Sequence, residues 1–397
     1  MHLFVVDLGT PFYWMFLLGT VVVLTVLARP EWRRIAWPII DVAFVSLIAA
    51  WWVGALAIAY GLAIHGAAVA AERSGSRVGR RLALGGGGAV VATLFLLHKL
   101  RGEPGWAGAS SPLVLFATAV GFSYVALRSV ERLRAGVDGA AAGARWFDTL
   151  SYLFPFHMLA AGPIQSWTGF WRDRQLSEPP SGGVLDAVDR IVHGLFKKFV
   201  LARAIELTLL TGFTAPWSYQ LLEVQIYYLW VYLDFSAYSD LAVGAGRLLG
   251  AATPENFNRP LGARNIIAFW ERWHISLSSF VRRKVFIPVQ LAAMRRTGGR
   301  HALAIASLAF AISFVLVGLW HGLSWRFLIW GVLHATALIV CNLYQRLVVA
   351  PRGARAVAEY MANPFYRAAA TVMTFEFVAF SLAFIVHPAT AFLDRAR

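Results

Sequence analysis

The stretch ALAIASLAFAISFVLVGLWHGLSWRFLIWGVLHATALIV, residues 302–340, decides the fold of this chain. It joins two almost uncharged apolar runs, Ala302–Leu319 and Phe327–Val340, through a turn that begins with Trp320-His321-Gly322. The basic residues that flank the two runs are Arg295, Arg296, Arg300, Arg346, Arg352 and Arg355. Because such clusters mark cytoplasmic flanks, we expect His321 at the opposite, extracytoplasmic side. An ionisable residue between two membrane spans is a functional candidate.

The composition predicts a polytopic, all-α membrane protein. Of the 397 residues, 58% are hydrophobic and 14% are charged, against about 25% charged residues in soluble domains. The mean hydropathy is +0.61. The apolar runs are roughly 16–22 residues long, as spanning helices require, and lack the alternation of barrel strands. We expect about ten transmembrane helices with additional interfacial or re-entrant helices, in a single membrane domain over residues 1–397.

The charge of the chain is explained by membrane orientation. Its formal net charge is +15, but the basic residues form short clusters between apolar runs, where they orient helices and meet anionic lipid. Membrane lipid is therefore an expected partner and nucleic acid is not. Cys341, the only cysteine, excludes an intramolecular disulfide. No cleavable signal peptide is evident, and Pro11–Ala28 is expected to remain as a first span.

The first half of the chain can be followed span by span. The N-terminus is expected outside, because arginines follow Pro11–Ala28. The run Ile35–Ala71 is long enough for two helices, with a turn near Trp51–Gly54. Leu82–Leu97 then leads outward through a glycine run that should be mobile or closely packed, and Lys99–Ser111 is expected as an outer loop. Pro112–Leu127 returns to an expected inner loop that holds Arg128, Arg132, Arg134 and Arg145.

The middle of the chain is less regular. Phe147–Pro163 is apolar and ends in a helix stop, and Val184–Leu201 is amphipathic. Leu221–Gly250 is a long segment that carries Asp234 and Asp240, and its residues Ala242, Gly246 and Gly250 are spaced for close helix packing. The polar connection Thr253–Arg264, if at membrane depth, must be covered by protein or line a cavity.

Residues 268–285 hold a second histidine of interest. Helical spacing predicts an interfacial helix with one apolar face, formed by Trp270, Trp273, His274, Leu277, Phe280 and Val281. On spacing alone, His274 is either a satisfied core histidine or a site residue. The other histidines are interpreted as structural. Glu376 lies alone in an apolar run and is expected to face the interior.

Motifs over residues 150–345 resemble those of the membrane-bound O-acyltransferase (MBOAT) family. They are Tyr232–Asp240 (YLDFSAYSD), Pro254–Asn258 (PENFN), Phe269–Ser278 (FWERWHISLS) and Gly318–Gly322 (GLWHG) together with Ser324-Trp325, and Ala161–Ile164 (AGPI) and Gly194–Lys198 (GLFKK) upstream. The bacterial envelope branch of the family fits best. The motifs are similar to those of alginate O-acetylases, while the length and first spans look more like teichoic-acid D-alanyl transfer proteins. The resemblance implies the MBOAT fold for the whole chain.

This resemblance assigns roles to particular residues. His321 matches the family's catalytic histidine, and His274 matches the second position of its active site. Asp234, Asp240, Asn256, Trp273 and Trp320 are the candidates for supporting or substrate-binding residues. One departure is Val281-Arg282-Arg283, where relatives commonly carry an acidic residue.

The implied reaction is transfer of a short acyl group, D-alanyl or acetyl, across the plasma membrane. The donor would be a cytoplasmic thioester, on a phosphopantetheinyl carrier protein or on coenzyme A, with no bound cofactor and no metal. The acceptor would be a hydroxyl of an extracytoplasmic polymer, either teichoic acid or exopolysaccharide, or of a relay protein. His321 would act as general base, kept neutral by burial. His274 would orient the thioester or stabilise the oxyanion.

Two alternatives remain at this stage. A proton-coupled transporter or flippase would also need interior histidines and aspartates, although no inverted repeat is visible. A lipid O-acyltransferase would use a long-chain thioester and give products that partition with lipids.

Overall fold

The computed structural model describes residues 8–26, 30–101, 111–140, 142–159, 161–175, 183–353 and 362–386. The expectations for His2, His387, Arg355 and the interior of the outer loop, residues 102–110, fall outside these ranges. Within them the chain is helical, and the only strand-like pairing is an isolated antiparallel bridge between Phe257 and Trp273.

Seventeen helices are described. They are α1 (Pro11–Val26), α2 (Pro30–Ile48), α3 (Trp51–Arg73), α4 (Arg77–Leu100), α5 (Pro112–Ala119), α6 (Phe122–Val137), α7 (Trp146–Leu153), α8 (Trp167–Gln175), α9 (Val184–Leu195), α10 (Arg203–Thr208), α11 (Trp217–Leu249), α12 (Ile266–Trp270), α13 (Ile275–Val281), α14 (Ile287–Thr297), α15 (Ala302–His321), α16 (Trp325–Tyr344) and α17 (Pro364–Val386). Short π-helical turns follow α9, α13 and α16. This agrees with the all-α prediction, since helices satisfy their own backbone groups in an apolar solvent.

Fewer helices than expected are able to cross a membrane. Among the described residues, five are long and apolar enough: α3, α4, α15, α17, and α16 together with its continuation to Arg352. A sixth span results if α5 and α6, bent by 84° at their junction, are counted as one. The expected number of about ten is therefore not confirmed. Much of the remaining apolar sequence forms helices that are too short or too polar to span by themselves.

The boundaries of the first spans follow the sequence closely. Two helices, α2 and α3, divide the run Ile35–Ala71 at residues 49–50, next to the predicted turn. The glycine run in α4 is helical, and a Cβ on Gly87 would lie 2.7 Å from the Leu133 side chain. At Gly87 close packing is therefore the correct alternative. The expected helix stop near Pro163 comes earlier, because α7 ends at Leu153 before Pro155.

The prediction that Arg128 and Arg132 lie in an inner loop is wrong. Both residues lie on α6, four positions apart, and are 0% exposed. The Arg128 guanidinium donates to the carbonyl oxygens of Leu153 (3.3 Å), Met158 (3.0 Å) and Pro163 (3.4 Å). It thereby stabilises the end of α7 and the irregular backbone that follows, where the Met158 carbonyl also accepts from the backbone N–H of Gly162.

The small residues of α11 make different contacts from those predicted. A Cβ on Gly244 would lie 2.9 Å from the Ala187 carbonyl oxygen of α9, so the close helix contact is at Gly244. Gly246 faces the chain that returns after α11, where its Cβ would meet the side chain of Thr253. The amphipathic segment near residue 184 is confirmed as α9 and its π-helical continuation.

The chain divides into two compact units. Unit 1 is Met1–His193 with Tyr238–Pro254, and unit 2 is Gly194–Ala237 with Glu255–Arg397. Unit 2 contains both motif histidines. The single membrane domain over residues 1–397 stays a prediction.

Candidate active site

The hairpin of α15 and α16 carries His321 at its tip. A Cβ on Gly331 would lie 2.5 Å from the carbonyl oxygen of Phe314, and one on Gly318 would meet the Phe327 carbonyl. Glycines at these points let the two backbones touch. As the sequence predicts, the turn follows at once, since α15 ends at His321 and α16 begins at residue 325.

The side chain of His321 is exposed. The prediction that His321 is buried is therefore wrong. Burial cannot be what keeps its imidazole neutral. The exposed position allows His321 to meet a large acceptor, which a closed interior would exclude.

The segment around His274 is not one helix. It consists of α12, a turn over residues 271–274, and α13, and His274 has a φ of 45° at the start of α13. The predicted apolar face is nevertheless largely buried, with Trp270, His274, Leu277 and Phe280 at 8% exposure or less. The periodicity thus identified the buried residues but missed the break.

The break is held by the connection after α11. Asn258 donates its backbone N–H to the carbonyl of Arg272 (2.9 Å), and Ile275 donates to the carbonyl of Asn256 (3.0 Å). The side-chain oxygen of Asn256 accepts from the backbone N–H (3.1 Å) and the hydroxyl (2.7 Å) of Ser276. These bonds compensate for the left-handed conformation of His274, which is costly for a residue with a Cβ.

Asn256 also sets the protonation of His274. Its Oδ1 lies 3.3 Å from His274 Nδ1. The backbone N–H of Ser276 requires an acceptor at that position, so the amide orientation is fixed. Since Oδ1 can only accept, Nδ1 carries the proton and Nε2 carries the lone pair. Burial, and then the positive charge of His321, lower the pKa of His274 to about 3, so it is neutral at pH 7.

The indole of Trp320 contacts both histidines. Its ring centroid is 6.5 Å from that of His274 and 4.8 Å from that of His321. The His274 ring is also packed edge-on against Phe235 at 4.8 Å, and His321 contacts Trp330 at 5.4 Å. A buried and an accessible imidazole therefore contact the same aromatic side chain.

Trp273 belongs to an aromatic cluster beside this site. Its ring centroid lies 5.1 Å from that of Phe257 and 6.1 Å from that of Tyr232. The cluster packs α11 against the connection that holds His274. Trp273 is thus placed next to the site, in a packing role.

The two candidate aspartates are engaged by cations. Asp234 lies 2.5 Å from Lys198 within unit 2, and Asp240 lies 2.7 Å from Arg190 within unit 1. Asp234 directly precedes Phe235, whose ring contacts His274. The candidate residues that come together in unit 2 are His274, His321, Asn256, Trp273 and Trp320.

Three further residues contribute to the site without having been expected. Ser276 shares the Asn256 oxygen, Phe235 packs on His274, and Trp330 packs on His321. Ser276 and Phe235 do lie inside the quoted motifs, two residues after His274 and one after Asp234. Their position within these motifs is the sequence signal that could identify them as site residues.

His334 is a satisfied core histidine, in agreement with its structural interpretation. Its Nδ1 accepts from the Trp270 indole (3.2 Å), so Nε2 donates to the Ser381 hydroxyl (2.9 Å). Glu376 is exposed, contrary to expectation, and accepts a hydrogen bond from Gln225 (2.9 Å). Across the described residues, no group of three or more His, Cys, Asp or Glu side chains is arranged to hold a metal ion.

Comparison with known proteins identifies the family of this chain. The family model described as MBOAT, membrane-bound O-acyltransferase family, matches residues 41–383. Over 235 residues, 57% of this chain, it is 27% identical to a teichoic acid D-alanyltransferase of Bacillus subtilis, covering 60% of that protein. It is 37% identical over 38% of its length to a peptidoglycan O-acetyltransferase of Helicobacter pylori, covering 28% of it.

A third relative, a probable alginate O-acetylase AlgI of Azotobacter vinelandii, is 40% identical over 28% of this chain and 21% of its own length. The chain thus spans less than two thirds of the length of these curated relatives. The resemblance inferred from the motifs is confirmed. With its apolar helices and a family match over most of its length, this chain is a multi-pass membrane protein that belongs to the membrane-bound O-acyltransferase family.

Proposed function

We propose that this protein transfers a short acyl group from a cytoplasmic thioester to a hydroxyl of a cell-envelope polymer or of a relay protein. The observation that carries the proposal is the contact of Trp320 with both the buried His274 and the exposed His321. The relatives are named for D-alanyl or O-acetyl transfer, which supports D-alanyl or acetyl as the group transferred and teichoic acid or polysaccharide as the acceptor.

His321 is the general base of the proposed reaction. The acceptor hydroxyl oxygen attacks the thioester carbonyl carbon while its proton passes to His321. The carbon–sulfur bond then breaks, and the leaving thiolate takes up that proton, so that an ester and a free thiol are formed. A positioned base of this kind contributes roughly 10²–10⁴ in rate. The exposed position of His321 supports this role, because the acceptor must reach it.

His274 acts on the donor. With its proton fixed on Nδ1 by Asn256, the neutral ring presents a lone pair on Nε2 and cannot donate from that nitrogen to an oxyanion. We therefore replace the oxyanion role expected from sequence by orientation of the thioester. In that role, Nε2 accepts from an amide N–H of the pantetheine arm or, for a D-alanyl donor, from the ammonium of the alanyl group.

Basic residues beside α13 support a phosphopantetheine donor. Arg282 and Arg283 are exposed on the π-helical turn that continues α13. Both donors under consideration, a carrier protein and coenzyme A, bear a phosphate at the base of the pantetheine arm. Arginine is well suited to such a group. The cationic turn takes the place where relatives commonly have an acidic residue.

The proposed topology follows from the charge pattern. Basic residues at the outer ends of the hairpin would lie in the cytoplasm, and His321 and the N-terminus outside the plasma membrane. The Arg326 guanidinium donates to the Ile385 carbonyl (3.1 Å), so the start of α16 and the end of α17 lie at one level. This agrees with α17 running from the cytoplasmic to the outer side.

The decisive experiment measures thioester consumption by purified protein in the presence of a hydroxyl acceptor, with acetyl and D-alanyl donors compared. We expect His321→Ala to lose transfer, while His193→Ala, an exposed histidine of α9, keeps it. Full transfer by His321→Ala would refute the assignment. Solute uptake without thioester consumption would favour a transporter, and long-chain products in the lipid phase would favour lipid acylation.

The topology has a separate test. In a Cys341→Ser background, Ser324→Cys should react with an impermeant thiol reagent in intact cells. Labelling only after permeabilisation would place the turn in the cytoplasm and reverse the proposed direction of transfer.

A further inference from the structure

Unit 1 contains a cavity of about 80 Å³ that the acyl-transfer proposal does not use. It lies among α2, α6, α8 and the irregular chain that follows α7 and α11. The residues that line it are Trp37, Arg128, Ser151, Tyr152, Pro155, His157, Met158, Gln165, Phe170, Asp173, Gly250, Ala251 and Ala252. The lining combines opposite charges with small and aromatic apolar walls.

Arg128 provides the positive side of the cavity. It is 0% exposed, and its hydrogen bonds go to three backbone carbonyls. Within the described part of the chain, no carboxylate lies within 4 Å of this guanidinium, although Asp41 attracts it from farther away. A buried guanidinium that lacks a close counter-ion favours an anionic group nearby.

Asp173 provides the negative side. Its side chain is 25% exposed, compared with 0% for Arg128, so it lies nearer the solvent. It accepts from the Gln165 amide at 3.1 Å and lies 3.5 Å from the largely exposed Arg172. A carboxylate in this position can still accept hydrogen bonds from a cationic ligand, because it has about four lone-pair sites.

Two buried polar atoms of the lining lack hydrogen-bond partners among the described residues. They are the Ser151 hydroxyl oxygen and His157 Nδ1. His157 contacts the Thr253 hydroxyl through Nε2 (3.3 Å). Burial, and then the charge of Arg128, lower its pKa to about 3, so it is neutral. Buried polar groups are usually hydrogen-bonded, so these two atoms favour a polar occupant of the cavity.

The size of the cavity limits that molecule. By this measure a single water needs about 10–15 Å³, so about 80 Å³ holds on the order of six non-hydrogen atoms. Glycine and alanine have five and six. Larger side chains are opposed by the aromatic walls, Trp37 and Phe170.

We propose that this cavity binds a small zwitterionic α-amino acid, with its carboxylate toward Arg128 and Ser151 and its ammonium toward Asp173. A carboxylate alone would gain nothing from Asp173, and an amine alone would gain nothing from Arg128. All residues that line the site belong to unit 1, and its occupancy does not depend on the proposed acyl transfer.

The test is equilibrium binding of radiolabelled alanine to the purified full-length protein, with competition by unlabelled compounds. Glycine, L-alanine and D-alanine should compete at least about tenfold better than propionate or ethylamine, the effect of one added charge-assisted hydrogen bond. Leucine should compete poorly because of its size. Equal competition by alanine and propionate would overturn the proposal.

Two variants locate the site. Asp173→Asn should weaken alanine binding at least about tenfold without weakening propionate binding, whereas Asp138→Asn, a half-exposed aspartate of the same unit, should change neither. Ala252→Leu should fill the cavity and abolish binding. If alanine binding survives Asp173→Asn or is lost in His321→Ala, the ligand lies elsewhere and the proposal fails. Should Ala252→Leu prove unstable, the Asp173→Asn comparison decides alone.

Discussion

Asn256 fixes the tautomer of His274, because its side-chain oxygen, 3.3 Å from Nδ1, is anchored by two bonds from Ser276. The same oxygen thus supports the backbone break and the imidazole. Asn256, eighteen positions earlier in the chain, therefore determines which nitrogen of His274 is basic.

Replacement of Asn256 should separate geometry from chemistry. Asn256→Ala removes the acceptor of three hydrogen bonds, and we expect acyl transfer to fall at least about tenfold with a loss of roughly 1–3 kcal/mol in stability. Asn256→Asp keeps the acceptor and should restore much of the stability. Its negative charge should raise the pKa of His274, which would move the acidic limb of the pH–rate profile to higher pH. An unchanged profile in Asn256→Asp would contradict control of His274 by this residue.

Acid should destabilise the protein through His274. Its pKa is about 3 in the folded protein and 6.5 in the reference state. Between these values the unfolded state binds the extra proton, so stability falls as pH decreases below about 6.5. At pH 5 the contribution is about 2 kcal/mol. Melting temperatures measured from pH 7 to pH 5 should fall less steeply for His274→Gln than for the wild type, and parallel curves would show that His274 is not the titrating group.

Trp320 should keep water away from the donor. Its indole packs against both the buried His274 and the exposed His321, so its removal in Trp320→Ala should open space in which water replaces the acceptor hydroxyl as nucleophile. We expect thioester hydrolysis to increase relative to transfer, measured as free acid against esterified product. Trp325→Ala, an exposed tryptophan at the start of α16, serves as the control. A uniform loss of both products in Trp320→Ala would instead indicate a structural role.

The hairpin and its histidine could be predicted from sequence because their signals are local. An apolar run such as Ala302–Leu319 specifies a helix by length and composition, and the following Gly322 marks its end. The family motifs then paired His321 with His274. Both features need only neighbouring residues to be recognised.

The break at His274 could not be predicted in this way. The sequence from Trp270 to Val281 has helical periodicity, and the left-handed conformation of His274 is paid for by contacts with Asn256 and Asn258. Such contacts depend on how the chain returns after α11. The prediction of a cytoplasmic loop for Arg128 and Arg132 fails for a similar reason. The positive-inside rule does not distinguish a buried arginine from one that flanks a membrane span.

Close contact of α15 and α16 should depend on their glycines. Gly331→Ala would place a methyl group 2.5 Å from the Phe314 carbonyl oxygen, which the backbone cannot avoid without separating the helices. We expect a loss of about 1–3 kcal/mol in stability and a lower transfer rate, since His321 moves with α15. Gly19→Ala, where no atom lies within 4 Å of the added carbon, should leave both unchanged. Equal melting temperatures for the two variants would contradict the packing.

Arg128 should be irreplaceable by lysine even though the charge is retained. Its planar guanidinium reaches the carbonyls of Leu153, Met158 and Pro163 at once, whereas an ammonium with three donors on a flexible stem cannot match that geometry. Arg128→Lys should therefore lower stability by about 2–4 kcal/mol, the cost of leaving buried acceptors unpaired. Arg134→Lys, on the same helix with its side chain 56% exposed, should cost nothing measurable. Thermal unfolding of the two variants decides the matter, because a purely electrostatic role for Arg128 would make them equal.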